Sequence, residues 1–464
     1  MAKGGVAVQT AGPVWDRVEG MRIWIKDPLA ILADGAERGI VIEDGVIAEC
    51  LSAGAAPAQP CDETFDASRH VVLPGLVNTH HHFYQTLTRA YGPALDKELF
   101  DWLKTLYPVW AGLTPEYLDV ATRLALAELL LSGCTTAADH HYVFPDGLED
   151  GVDIQVAAAR DMGVRVTLTR GSMNLSVEDG GLPPVSVVQD ADTILADSAR
   201  VIDVFHETGE GAMVQVALAP CSPFSVTREI MRDTADLAAD RGVGLHTHLA
   251  ETEDENVFCE QMFGCRPLDY LEEVGWLNDR VWLAHGIHFS EAEIARLGAA
   301  GTGIAHCPGS NMVLASGMCR GVELEAAGAP VGIGVDGSAS EDASNLMQEV
   351  RLALQIQRLR YGAAAVSHRD VLRWATQGSA RCLGRDDIGE VAVGKQADLA
   401  LFDLDEPRFS GAGDPLAALV LCGAHRADRV MVAGHWRVVD GAIAGLDLED
   451  LMDRHRSAAR NLTA

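Results

Sequence analysis

The sequence predicts an α/β protein: a distorted, TIM-like (β/α)8 barrel carrying a small β-sandwich built from the N- and C-terminal segments. Three observations predict it. Eight apolar runs, each ending in polar residues, recur between about Pro74 and Gly384, and amphipathic helix-like segments lie between them. Short-strand texture occurs at both ends of the chain and not in the middle. At 464 residues, 48% hydrophobic and 22% charged, the chain has the material for one large core and the profile of a globular protein.

The terminal strands come first. MRIWIK alternates, and GIVIEDGVIAEC holds two apolar stretches joined by Glu-Asp-Gly, a hairpin signal. QADLALFDLD and RVMVAGHWRVVDGAI repeat that texture near the C-terminus. Residues 21–73 with 385–445 are therefore expected to form the composite sandwich, 74–384 the barrel and 446–464 a helical tail.

The eight runs are VLPGLVNTHHH, CTTAADHH, VRVTLTRGS, MVQVALAPCS, VGLHTHLAE, VWLAHGIH, GTGIAHCP and PVGIGVDGS. EYLDVATRLALAELLLSG, SVTREIMRDTADLAADRG and SEAEIARLGAAG are helix candidates that close on glycines. An open doubly wound sheet would want a Gly-rich phosphate-binding first turn, and VNTHHH supplies none. In a barrel the chemistry sits where strands end, and each run ends in residues able to do chemistry.

Ten scattered cysteines with no C-x-x-C suggest a reducing compartment, and Cys134, Cys221 and Cys307 read as small core residues. The first twenty residues show no secretory h-region and no later stretch reaches the ~18 apolar residues of a membrane helix, so a cytoplasmic address is expected. A net charge of −31 disfavours nucleic acids and anionic membranes as partners and reads as a solvated acidic surface, with steering of cationic ligands the functional alternative.

Asn78-Thr79-His80-His81-His82 is the anchor of the functional reading. Side chains alternate along a strand, so His80 and His82 share a face and His81 opposes them. Two imidazoles at a barrel mouth are half of a metal site. His246 and His248 again share a face, Glu251 follows, His285 ends the sixth run and Asp336 the eighth. Zinc favours nitrogen donors with one carboxylate and, when catalytic, keeps a position for water.

These segments resemble the signature strand ends of the amidohydrolase superfamily: PGLVNTHHH, HTHLAE, LAHGIH, HCPGSNMVLASG and GIGVDGS. Within it they resemble the branch of cytosine, guanine and S-adenosylhomocysteine deaminases and triazine hydrolases, and IGEVAVGKQADLALFDLD is similar to its return into the sandwich. The resemblance implies one divalent metal, Zn2+ or Fe2+, held by His80, His82, His248 and Asp336. It implies catalytic roles for Glu251, His285 and Asp336, and a homo-oligomer. It gives His246 no ligand role. Binuclear members bridge their metals with a carboxylated lysine on the fourth strand; this chain has no lysine between Lys104 and Lys395, so a single metal is expected.

For substrate contacts, the aromatic-rich loop after His82 offers Gln85 and Trp110, and Arg170 ends the third run. His306 and Asn311 are placed to shape the pocket. The loop from NTHHHFYQ to LTPE, with APCSPFSV, resembles the 8-oxoguanine deaminases of that branch, which implies conversion of 8-oxoguanine to urate and ammonia. Guanine, cytosine, pterin, adenosine-type and hydroxytriazine substrates stay open under the same mechanism. So does a metal-free scaffold, against which the full ligand set argues.

Overall fold

The computed structural model describes residues 20–464; the reading of the N-terminal stretch as free of a secretory signal lies outside the described residues. Eight parallel strands close into a barrel in chain order. They are Leu76–Asn78, Cys134–His141, Arg165–Ser172, Val214–Pro220, Gly244–Leu249, Val281–His285, Gly303–His306 and Val331–Ile333. Each falls inside one of the eight apolar runs. The barrel shuts where Ile333 pairs with Asn78.

The helices between the strands form where the local chemistry asks for them. Pro115–Leu131 starts on Thr114, whose side chain accepts the Tyr117 N–H. Arg228–Arg241 starts on Thr227 and closes on Gly242 in the left-handed conformation. Glu291–Ala300 opens with a capping box, Ser290 and Glu293 satisfying each other's backbone N–H groups.

The terminal segments make two sheets. One holds Val46–Leu51, Gly39–Glu43, Arg22–Lys26 and Glu63–Asp66, with the expected hairpin turning at Asp44-Gly45. The other has six strands and joins both ends of the chain: Leu399–Asp403 pairs antiparallel with His70–Pro74. Ile23, Ile25, Ile42, Val72, Leu401 and Met431 fill the space between them. His70–Pro74 runs straight into the first barrel strand, so the sandwich sets where the barrel begins.

A buried ion pair makes a second tie. Arg165, on the third barrel strand, donates to both oxygens of Asp398 at 3.0 and 3.1 Å. Asp398 also accepts the Ala433 N–H, and Arg165 also donates to the Gly211 and Ala212 carbonyls. A last helix, Leu448–Leu462, returns to the barrel mouth, where His455 donates to Thr86 Oγ1. Among the described residues no helix is long and apolar enough to cross a membrane.

Candidate active site

The chain continues extended past the first and eighth strands, and the two stay side by side. Thr79 N–H donates to the Ile333 carbonyl, Asn78 Oδ1 accepts the Val335 N–H and Asp336 N–H donates to the His80 carbonyl. This pairing brings His80 and Asp336 together, 3.2 Å apart between His80 Nε2 and Asp336 Oδ1. His82 Nε2 lies 3.3 Å from the same oxygen and 3.2 Å from His248 Nε2.

Backbone carbonyls determine which nitrogens face inward, because a carbonyl can only accept. His82 Nδ1–H donates to the His140 carbonyl and His248 Nδ1–H to the Cys221 carbonyl, each at 2.7 Å. His246 Nδ1–H donates to the Trp282 carbonyl at 2.7 Å, which leaves His246 Nε2 to accept from His80 Nδ1–H, also at 2.7 Å. All three ligand candidates therefore present Nε2 lone pairs to one point.

Those lone pairs and Asp336 Oδ1 face one another as acceptors, and the Gly337 N–H that reaches Asp336 Oδ1 at 2.6 Å serves none of the imidazole nitrogens. His80 Nε2 is buried without a partner. Such a set is unfavourable unless a cation sits at its focus, and three imidazoles with one carboxylate suit a divalent metal. Burial holds His80 and His248 well below the usual imidazole range, so both are neutral and able to ligate.

The catalytic candidates border this focus. Burial pushes the Asp336 carboxyl up, but His80, His82 and His285 outweigh it and hold the group well below its ordinary value. His285 shows the reverse balance: burial lowers it, yet the Glu251 and Asp336 carboxylates raise it overall. Its Nε2 is 3.5 Å from Glu251 and 3.9 Å from Asp336, while Nδ1–H donates to Asn311 Oδ1 at 2.9 Å. Burial raises Glu251. His285 and Asp336 both adopt positive φ, +69° and +68°, a strained conformation that persists where surroundings enforce it.

A cavity opens from this cluster, walled by Leu99, Trp102, Leu103, Phe224 and Leu314 with the polar Gln85 and Ser340. Gln85, an expected substrate contact, lines this cavity, packed against Gly337, and its Oε1 has no partner. Two expected substrate residues lie elsewhere. Trp110 is fully buried behind Trp102 and Tyr107, its indole N–H donating to Thr88. Arg170 points to the outside of the barrel, where Asp197, Gln189 and the Gly171 carbonyl take its donors and Phe144 lies under its guanidinium. Neither lines the cavity.

Cys221, read from sequence as core, does line the cavity, and burial pushes its thiol up to about 12, so it stays neutral. His81 lies outside the cluster, donating to Ser344. His306 is buried against Gln357, away from the cavity. The residue the sequence reading missed is His140, stacked on His248 with ring centroids 4.7 Å apart. Its Nε2–H donates to the Ala219 carbonyl, it joins His80, His82 and His248 in one group of nitrogens within 4.8 Å, and its Nδ1 has no partner. The signal was present: in CTTAADHH, strand alternation must send one of two adjacent histidines inward.

A parallel barrel with a histidine-rich, metal-fitting mouth defines a metal-dependent hydrolase, and the chain belongs to the amidohydrolase family, whose model matches residues 71–437. It is a hydrolase acting on carbon–nitrogen bonds. It is 67% identical to the 8-oxoguanine deaminase of Pseudomonas aeruginosa PAO1, over 96% of this chain and 99% of that one. An isoxanthopterin deaminase from an unknown prokaryote is 36% identical over 88% of this chain and 89% of its own. Among solved structures, the atrazine chlorohydrolase of Arthrobacter aurescens TC1 complexed with zinc superposes with a TM-score of 0.88 at 31% identity, covering 95% of this chain and all of that one.

Proposed function

We propose that the enzyme hydrolyses 8-oxoguanine to urate and ammonia. The observation that carries the substrate is the full-length 67% identity to an 8-oxoguanine deaminase, joined to a mouth that retains a complete donor set for a metal.

On this reading His80, His82, His248 and Asp336 Oδ1 hold one divalent metal, Zn2+ in our assignment and Fe2+ in the alternative. When bound, that metal makes a water acidic enough to attack near neutral pH. Asp336 Oδ2, turned towards His285, takes the proton from the attacking water. Glu251, whose hold on a proton burial strengthens, gives a proton to the ring nitrogen beside the amine-bearing carbon, which makes that carbon more electrophilic. His285, its charge favoured by two carboxylates, stabilises the tetrahedral centre. Asp336 then passes its proton to the departing amine, which leaves as ammonia, and the proton left on the new hydroxyl returns to Glu251 as the carbonyl forms.

The apolar walls stack on a planar ring, and Gln85 reads its edge. The fourth strand, Val214–Pro220, carries no lysine, which supports a single metal. We place the enzyme in the cytoplasm, a site that suits its ten unpaired cysteines, and as a homo-oligomer. Ammonia release from 8-oxoguanine, guanine and isoxanthopterin, measured side by side, tests the substrate. Elemental analysis of the purified enzyme tests the metal, and light scattering tests the assembly.

A further inference from the structure

Two buried carboxyls beneath the mouth take no part in this mechanism. Glu341 belongs to the loop that follows Asp336, and Glu349 to the helix Leu346–Tyr361. Glu349 is fully buried and Glu341 is 6% exposed. Each spends one oxygen on backbone. Glu349 Oε2 accepts the Gly309 N–H at 2.7 Å, and Glu341 Oε2 accepts those of Ala343 and Ser344 at 2.9 and 2.5 Å.

The other oxygen of each, Oε1, is buried and has no partner. Arg89, the cation that acts on Glu341, is itself paired with Glu128. The two side chains meet under Gly309: a Cβ there would lie 2.5 Å from Glu349 Oε1 and 3.0 Å from Glu341 Cγ. Two buried carboxyls side by side, each with an unpartnered oxygen, are costly as a pair of charges, and one proton taken up by the pair relieves that cost. Burial raises both groups, Glu341 to about 8, and Glu341 raises Glu349 further.

What the pair joins gives it a role. Gly309 lies in the turn of helix Pro308–Val313 that also carries Asn311, the partner of His285. Glu341 fixes the loop behind Asp336, where Ser310 donates to Ser340 and Ser340 to Asp336 Oδ2. We propose that Glu341 and Glu349 hold one proton as a pair and act as positioning residues, Glu341 latching the loop behind Asp336 and Glu349 the turn that orients His285. The catalytic part of this rests on the deamination mechanism above; the shared proton does not.

The test uses the full-length enzyme with Glu349→Gln, Glu341→Gln and Glu349→Ala. A glutamine amide supplies permanently the donor that the proton supplies in the native pair. Either glutamine variant should keep kcat within the same order of magnitude and lose one protonated-carboxyl C=O band from the infrared difference spectrum. Glu349→Ala should lose about 100-fold in kcat with KM little changed and metal content intact, since small misplacements of reacting groups are that costly. An unchanged carboxyl band in both glutamine variants overturns the shared proton, whatever the substrate proves to be. A glutamine variant as impaired as the alanine, with the band lost, overturns the latch alone. If Glu349→Ala does not fold, the glutamine variants still decide the proton and Glu341→Ala, read for kcat in the same way, decides the latch; wild-type kcat in a folded alanine variant overturns it.

Discussion

His246 Nε2 lies 2.7 Å from His80 Nδ1, and this contact determines how the candidate metal site is wired. The Trp282 carbonyl holds a proton on His246 Nδ1, so His246 must accept from His80, and His80 must turn its free lone pair to the focus. The Trp282 ring stacks on His246 at 4.5 Å and keeps it in place. His246 is thus a residue behind a candidate ligand, with its own ring nitrogens both taken by other partners.

Replacing His246 should therefore weaken the site without removing a ligand. His246→Ala is expected to lower metal affinity or activity by about 10- to 100-fold, the usual cost of losing such a support. Chelator competition measures it. Unchanged affinity and turnover would mean that His80 orients itself.

Glu251 touches the substrate side of the cluster and none of the ligand nitrogens. Glu251→Gln should cut kcat by about 10²- to 10⁴-fold with metal content unchanged, because it removes the proton donor alone. Loss of metal in this variant would move Glu251 into the ligand set.

Gln85 and Arg170 were expected to act alike, and the structure separates them. Gln85→Ala should raise KM for 8-oxoguanine and alter its preference over guanine. Arg170→Gln should leave that preference intact and act only on stability, through the lost pair with Asp197. Steady-state kinetics on both purines distinguishes the two outcomes.

The Arg165–Asp398 pair joins barrel to sandwich and is almost wholly buried, with side chains 0% and 1% exposed. Asp398→Ala should cost about 3–5 kcal/mol in urea denaturation, since it strands a buried guanidinium. A loss under 1 kcal/mol would show the tie to be dispensable.

His455 carries a pH signature. Burial, then the nearby Arg89 and Arg456 charges, lower it from 6.5 to about 4. Between those values the unfolded chain binds a proton that the folded chain does not. Stability is therefore full above pH 6.5 and falls as pH drops towards 4, by on the order of 1 kcal/mol per pH unit. His455→Gln, which keeps a donor for Thr86, should reduce the dependence by that amount. An identical slope in both proteins contradicts the assignment.

The barrel was legible because each strand is an apolar run that ends in the residues of the mouth, from VNTHHH to VGIGVD. One half of the candidate ligand set was legible because strand alternation pairs His80 with His82; His248 and Asp336 were implied by the family resemblance. What could not be read depends on contacts between distant segments. Arg170 faces outward because its ion-pair partner, Asp197, sits on the helix that covers that strand. Trp110 shares a helix face with Trp102 and Tyr107, but it lies a further turn along Leu99–Trp110 and so passes the cavity. The support that His246 gives His80 joins residues on the fifth strand and the first, and no local pattern encodes it.

The central claim is the substrate. The measurement that tests it most directly is the kcat/KM for ammonia release from 8-oxoguanine against that from guanine, made on enzyme of known metal content. The account predicts a clear preference for 8-oxoguanine, with urate formed in equal amount to ammonia. Equal or better turnover of guanine, or no turnover of either by metal-loaded enzyme, would contradict it.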